Sequence, residues 1–171
     1  MKKHSQLALT ISLVVLINPA SAHDKSTSIG NSSKNTVATD VYLIACGSDE
    51  TGVSDKLEVR IKTKTPKNTL SIPNYAHLSI QIQKDETDAY SAVETDPING
   101  DTNYSTSLSL AEGVGGYIVT VSKPATTPAS CDNGARYLAP PNKTYAYTMQ
   151  YHCKGPGGIH TETVLSQRLN Q

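Results

Sequence analysis

The segment Tyr145-Ala146-Tyr147-Thr148-Met149-Gln150-Tyr151-His152 places a large side chain at every second position. Successive side chains of a β-strand point to opposite faces, so the three tyrosines and Met149 would share one face. A helix would need apolar residues every three or four positions, and no stretch of this chain keeps that period. The segment therefore predicts a strand whose tyrosine face covers a core.

Strand-like segments recur upstream of it, at residues 41–46, 57–62, 78–83, 108–110 and 117–121. The first runs from Val41 to Cys46 without a polar interruption, which predicts a strand covered on both faces. Turn-forming residues at 65–68, 96–101 and 124–141 separate the segments. This succession of short strands predicts an all-β fold, a single antiparallel β-sandwich or jelly-roll-like domain.

The first 22 residues have the three zones of a secretory signal peptide. Lys2 and Lys3 give a basic start, an apolar run spans residues 7–17, and Ala20-Ser21-Ala22 is a small-residue cleavage site. The apolar run is shorter than the about 20 residues needed to cross a bilayer, so we expect no membrane span in the mature form. Cleavage after Ala22 would make His23 the first residue of a secreted or periplasmic protein.

Removal of residues 1–22 would leave 149 residues, which is the size of one domain. Residues 23–39 are mostly polar and predict a disordered leader, because they bury too little apolar surface to offset the entropy of ordering. The β-sandwich would then span residues 40–153, and residues 154–171 would form an edge strand or a frayed tail. The mature part has 13 basic and 15 acidic residues, so its charge does not favour nucleic acid.

The chain has three cysteines, Cys46, Cys131 and Cys153. Export exposes them to an oxidising environment, which favours a disulfide. Each of the three pairings is open. We favour Cys46 with Cys153, because both end strand-like segments whereas Cys131 lies among turn-forming residues. This pairing requires the two strand ends to lie at the same edge of the fold.

Tyrosine is the large aromatic residue of this chain, with nine Tyr and neither Phe nor Trp. Tyrosines must therefore supply the aromatic volume of the core, and each buried hydroxyl needs a hydrogen-bond partner. Tyrosines in or beside loops could instead bind a sugar ring or a peptide on their flat faces. Four residues are candidates for this role: Tyr75, Tyr90, Tyr104 and Tyr137. For each of them, packing in the core is the alternative.

The order of these segments resembles that of the bacterial pre-peptidase C-terminal (PPC) domain family, across residues 40–153. The segments that carry the resemblance are Asp40-Val41-Tyr42, Leu57-Glu58-Val59-Arg60-Ile61, Leu78-Ser79-Ile80-Gln81-Ile82, Gly116-Tyr117-Ile118-Val119-Thr120-Val121 and Tyr147-Thr148-Met149-Gln150-Tyr151. The family consists of small secreted β-sandwiches that are often attached to extracellular hydrolases. The resemblance implies a jelly-roll-like sandwich with an accessory or ligand-binding role and no catalytic residues. A long insert around Cys131 departs from the family pattern.

Histidines provide a candidate metal site. On a mature N-terminus, the α-amine and imidazole of His23 could chelate Cu(II), and a second histidine would complete a histidine brace. The candidates for the second histidine are His77, His152 and His160. The alternative is that His23 merely follows the cleavage site. A zinc or copper site that includes Cys153 is disfavoured, because an exported cysteine is usually in a disulfide and His152 points to the opposite face of the strand.

Oxygen-bearing side chains are concentrated between residues 85 and 101. Asp96, Asn99 and Asp101 surround an Asn-Gly turn and could bind calcium, which prefers hard oxygen ligands. Their spacing differs from that of an EF-hand loop. An ordinary solvated turn is the alternative.

The chain contains no Gly-x-Ser-x-Gly, no His-Glu-x-x-His and no phosphate-binding glycine loop. We therefore expect a non-enzymatic binding or accessory domain for a sugar polymer or a protein outside the cytoplasm. Two alternatives stay open: a periplasmic copper-binding protein that uses His23, and a structural protein of the cell envelope.

The cleavage site can be tested directly. When the full chain is expressed in a bacterial host and recovered from the periplasm or medium, its N-terminal peptide should begin at His23, since signal peptidase cleaves after small-residue motifs. Intact-mass and peptide mass spectrometry would measure this. A mature chain that begins elsewhere, or one that keeps residue 1 and stays in the cytoplasm, would contradict the prediction.

Overall fold

The computed structural model describes residues 23–30, 38–64, 77–96, 102–123, 129–130, 136–137 and 144–170, where it forms β-strands, one 3₁₀ helix and no α-helix. The expected signal peptide, residues 1–22, lies outside this part of the chain. The strands are β1 (His23–Ile29), β2 (Ala38–Cys46), β3 (Ser48–Asp49), β4 (Gly52–Val53), β5 (Lys56–Thr63), β6 (Ser79–Lys84), β7 (Glu94–Thr95), β8 (Leu108–Leu110), β9 (Gly115–Lys123), β10 (Ala129–Ser130), β11 (Arg136–Tyr137), β12 (Tyr145–Lys154) and β13 (Thr163–Leu169). The 3₁₀ helix spans Pro156–Gly158.

Two antiparallel sheets form the sandwich. The four-stranded sheet has the order β1-β12-β5-β8, and the five-stranded sheet has the order β13-β2-β9-β6-β7. Two small hairpins, β3-β4 and β10-β11, accompany them. Apart from the two-residue β7, strands of the two large sheets alternate between sheets along the chain. The all-β, antiparallel sandwich expected from the sequence is confirmed.

The core lies between the sheets and follows the alternation seen in the sequence. Alternate residues are buried on β5, β6 and β9, while on β12 every odd-numbered residue from Tyr145 to Cys153 is buried. On β2, Tyr42, Ile44 and Cys46 are buried. We expected both faces of β2 to be covered, and this is wrong for the opposite face. The side chains on that face are half-buried or exposed. A two-layer sandwich covers each sheet on one side only, so a continuously apolar strand gains one buried face.

Residues 23–29 form β1 at the edge of the four-stranded sheet, and the expected disordered leader is wrong for this segment. β1 pairs with β12 from His23 opposite Tyr151 to Ile29 opposite Tyr145. The polar composition of residues 23–29 predicted disorder, because β1 buries little apolar surface apart from Ile29, which is fully buried. Backbone hydrogen bonds to β12 and side-chain contacts such as that of Asp24 with Gln150 add to the stabilisation. Residues 31–37 of the leader lie outside the described part of the chain.

The C-terminal segment adopts the first of its two expected forms. β13 is an edge strand of the five-stranded sheet and pairs antiparallel with β2, beginning with Thr163 opposite Cys46. Leu165 packs against the core, whereas Val164 is exposed. The segment is therefore held by pairing with β2 and by one apolar contact.

The favoured disulfide is present. Cys46 and Cys153 are bonded, with their Cα atoms 5.4 Å apart, and both lie in the core. Because Cys46 ends β2 and Cys153 lies near the end of β12, the bond joins the two sheets. Cys131 lies outside the described residues.

A hydrogen-bonded group within the core also joins β2 to β12. The Tyr147 hydroxyl lies 2.7 Å from Asp40 Oδ2, to which it donates, and 2.6 Å from the Tyr42 hydroxyl. All three residues are fully buried. Burial is the main cause that raises the pKa of Tyr42 to about 12, and it also raises the pKa of Tyr147. Tyr42 and Tyr147 thus find the hydroxyl partners that their burial requires.

The disulfide should make a large contribution to stability. The double substitution Cys46→Ser with Cys153→Ser should lower the free energy of unfolding by about 2–5 kcal/mol, since the bond closes a loop over a sequence separation of 107 residues. Urea unfolding followed by circular dichroism would measure the change. Cys131→Ser is the control and should leave stability nearly unchanged. A comparable loss from Cys131→Ser, with little effect of the double substitution, would contradict this pairing.

Candidate functional site

The side chains of the four-stranded sheet that point away from the core form a polar surface, called here the polar face. The register brings its members side by side, with Gln150 opposite Arg60 and His152 opposite Glu58. On the other side of β12, Asp24 of β1 lies opposite Gln150. The polar face is defined by Asp24, Glu58, Arg60, Lys62, Gln150, His152 and Lys154.

Hydrogen bonds and ring contacts hold Arg60 in place on this face. Its Nε donates to Gln150 Oε1 at 2.7 Å, and Gln150 Nε2 donates to Asp24 Oδ1 at 3.1 Å. The Arg60 guanidinium carbon lies 4.7 Å from the centre of the Tyr104 ring, and Lys62 Nζ lies 4.4 Å from it. The guanidinium is therefore oriented by Gln150 and by a cation–π contact.

Glu58 is the carboxylate at the middle of the polar face, and two lysines neutralise it. Lys56 Nζ lies 2.6 Å from Glu58 Oε1, and Lys154 forms an ion pair with Oε2. Burial acts to raise the pKa of Glu58, but the bonds to Lys154 and Lys56 outweigh it and lower that pKa. The acid is thus ionised at neutral pH and already paired.

A cavity of about 430 Å³ opens on the polar face. Most of its lining comes from Glu58, Arg60, Gln150, His152, Lys154 and His160. Ser107, which precedes β8, also lines it. The volume is within the range of small-ligand pockets, and the lining is rich in hydrogen-bond donors.

Three histidines lie close together beside this cavity and are called here the histidine cluster: His152 and His160, which line the cavity, and His23 of β1. The ring centres of His152 and His160 are 4.4 Å apart, and those of His23 and His152 are 6.4 Å apart. His160 reaches the cluster because the chain reverses through the 3₁₀ helix and pairs with Lys154. Gly157 and Gly158 allow this reversal, with φ values of 73° and 80°.

The structure brings together three of the four candidate histidines. His77 lies just before β6 in the five-stranded sheet and is exposed there. Cys153 is in the disulfide and His152 points away from it, as expected from the alternation. In the part of the chain that the structure describes, no three His, Cys, Asp or Glu side chains are already arranged to hold a metal ion.

Burial is the largest cause that lowers the pKa of His152 to about 4, and the positive charges of His160, Lys154, His23 and Arg60 add to it. Burial also lowers the pKa of His160, with Lys154 and His23 acting in the same direction and Glu58 opposing them. Both imidazoles are therefore neutral at pH 7. The Nδ1 atom of His152 is buried and has no hydrogen-bond partner among the described residues.

Asp96 belongs to the framework. It is buried and accepts a hydrogen bond from the backbone N–H of Thr63, at the end of β5. Asn99 and Asp101, the other two residues of the expected calcium site, lie outside the described residues. In the described part of this loop, Asp96 therefore joins the segment that follows β7 to the end of β5.

The candidate tyrosines do not share one surface. Tyr104 lies on the polar face and its hydroxyl donates to Asp24 Oδ1 at 3.4 Å. Tyr90 is 53% exposed and bridges to Gln83 of β6, in the five-stranded sheet. Tyr75 and the side chain of Tyr137 lie outside the described part of the chain. Of the described pair, only Tyr104 is near the cavity.

Sequence reasoning missed Arg60, Gln150, Glu58 and Lys154 as members of a site. The alternation of side chains could have predicted that these four residues face outwards. They occupy the outward positions of the strands whose inward positions were assigned to the core. What the alternation could not show is that β5 and β12 are neighbours, which places the four side chains around one cavity.

Comparisons of the chain with protein-family models, with curated proteins and with solved structures found no match. The resemblance to the PPC family therefore stays a prediction. Within the described residues, the structure has no helix with the length and apolar character needed to cross a membrane. A function must be argued from the site itself.

The histidine cluster predicts a loss of stability in acid. The unfolded chain protonates His152 near pH 6.5, whereas the folded chain resists protonation until about pH 4. Protons therefore favour the unfolded state as the pH falls through this window, and the free energy of unfolding should drop by about 1–3 kcal/mol. Urea unfolding at pH 7 and pH 4.5, in the presence of a chelator, would measure the drop.

Two variants isolate the contribution of the cluster. His152→Gln should show a smaller loss between pH 7 and pH 4.5 than the natural chain. His77→Gln removes an exposed histidine elsewhere and should leave the loss unchanged. An equal pH dependence in His152→Gln and in the natural chain would show that this imidazole does not resist protonation.

Proposed function

We propose that the protein is an exported, non-enzymatic binding domain that recognises an acidic sugar polymer through its polar face. The observation that carries this proposal is the Arg60 guanidinium, held at the cavity by Gln150 and Tyr104. Arginine binds carboxylates through two parallel hydrogen bonds, and a guanidinium that is already oriented loses less entropy when it binds.

The charge balance of the cavity supports an anionic ligand. Among the described residues that line it, the one carboxylate is Glu58, which is paired with Lys56 and Lys154. Arg60 adds positive charge, and Lys62 lies beside it over the Tyr104 ring. A neutral or cationic ligand would leave this positive charge without a partner.

The polarity of the cavity supports a sugar in preference to a protein surface. Gln150, Ser107 and the two histidines line it with groups that can bond to hydroxyls. In the described part of the chain, the one apolar residue that lines it is Val59, whose side chain belongs to the core. Protein interfaces instead concentrate their binding energy in large aromatic and apolar side chains.

Export is supported by the signal-peptide pattern of residues 1–22 and is compatible with the Cys46–Cys153 disulfide, since disulfides persist in oxidising compartments. The non-enzymatic role is proposed because the cavity offers oriented donors while the sequence has no recognised nucleophile motif. An accessory role of this kind also agrees with what the resemblance to the PPC family implies.

The proposal predicts binding that depends on both the ligand carboxylates and Arg60. The mature protein should bind polygalacturonate more tightly than its methyl-esterified form, and the affinity should fall as salt rises. Arg60→Gln should weaken binding about 10-fold or more, because a charge-assisted hydrogen bond is worth at least about 1.4 kcal/mol. Isothermal titration calorimetry or affinity electrophoresis would measure both effects.

The control is Arg168→Gln on β13, which removes an exposed arginine from the other sheet and should leave binding unchanged. Equal binding of the two polymers, or an equal effect of the two arginine substitutions, would contradict the proposal. Assembly into large complexes without polymer would instead favour a structural role in the envelope.

A further inference from the structure

We propose that the mature protein binds one Cu(II) ion at the histidine cluster, with the α-amine of His23 as one of the ligands. This site is independent of the polymer-binding role, although His152 and His160 line the same cavity. Its ligands would be the amine and imidazole of His23 together with the imidazoles of His152 and His160.

The His152 and His160 rings are close enough to share an ion. Imidazole nitrogens lie about 2.0 Å from a bound metal, which places the centres of two rings on one ion about 4–6 Å apart. His152 and His160, at 4.4 Å, are within this range. The His23 ring centre is 6.4 Å from that of His152 and 5.6 Å from that of Tyr151, on which the ring stacks. The imidazole of His23 would therefore have to leave Tyr151 to join the ion.

The strand register brings the main chain of His23 next to His152. His23 lies opposite Tyr151, the residue before His152 on β12. Cleavage after Ala22 would leave the main-chain nitrogen of His23 as a free amine at this point. The amine and the imidazole of one histidine then form a chelate ring around a single ion.

The type of donor favours copper. The ligands are nitrogens, and the nearby Cys153 is held in the disulfide, so no thiolate is available from it. Calcium and magnesium prefer oxygen ligands, whereas Cu(II) stands at the top of the affinity order for nitrogen sites. Lys154 and Arg60 lie near the cluster and oppose a cation, which only a strongly bonding metal would overcome.

A separate observation also points to a ligand. His152 Nδ1 is buried without a hydrogen-bond partner in the described residues, and a buried polar atom in this state requires an explanation. A metal ion bound at this ring would supply the missing interaction. The ring contact with His160 does not, because it brings two aromatic rings together edge to face.

The test is a Cu(II) titration of the mature protein without any polymer, followed by electron paramagnetic resonance and calorimetry. One equivalent should bind, with a spectrum of nitrogen ligands. His152→Ala and His160→Ala should each weaken binding at least 10-fold, whereas His77→Ala should leave it unchanged. Equal affinity in all of these variants would overturn the proposal, because it would confine copper to the N-terminal residue alone.

A second variant tests the amine itself. One glycine placed before His23 keeps all three imidazoles but moves the amine away, so it should weaken Cu(II) binding at least 10-fold and change the spectrum. An unchanged affinity, or a natural mature chain that begins elsewhere, would overturn the role of the amine. His160→Ala, which alters a residue outside the strands, keeps the test valid if His152→Ala does not fold.

The two proposals fail separately. Arg60→Gln should weaken polymer binding without weakening copper binding, because it removes a positive charge that opposes the ion. The glycine extension should weaken copper binding and leave polymer binding unchanged. A substitution that reduces both to the same extent would indicate a general loss of structure, which circular dichroism of the variant would show.

Discussion

The attachment of β12 to β2 across the core is the constraint on which the rest of the structure depends. The disulfide between Cys46 and Cys153 joins the two strands at one end. Deeper in the core, the Tyr147 hydroxyl bonds to Asp40 and Tyr42. Together these links hold the tyrosine face of β12 inside the sandwich. In a core without Phe or Trp, tyrosine hydroxyls must be satisfied internally, and here their bonds also hold the two sheets together.

Holding one face of β12 inwards also sets what the opposite face displays. A shift of one residue would exchange the buried tyrosines for Gln150 and His152, at the cost of a buried apolar surface. The flanking strands then add Asp24 from β1 and Arg60 from β5. The cavity, its positive charge and the outward position of His152 are thus consequences of the same alternation that builds the core.

Particular residues show where sequence reasoning succeeded and where it stopped. The strands at 57–62 and 145–152 and the Cys46–Cys153 bond were predicted correctly, because alternation and strand ends are properties of short segments. The polar segment of β1 was taken for a disordered leader, because its stabilisation comes from pairing with β12. Asp96 was a candidate calcium ligand. Its burial and its hydrogen bond with Thr63 could not be predicted, because they depend on contact between two segments that are 33 residues apart.

By itself, the sequence determined that this chain folds into strands and which side chains of each strand face inwards. That information is local, since it follows from the two-residue repeat of an extended backbone. Only the tertiary structure decided which strands are neighbours. It placed His160 and His23 beside His152, and it left His77 with the other sheet. The physical reason is that pairing joins backbone groups far apart in the chain, and a local hydrophobic pattern does not encode the identity of the partner.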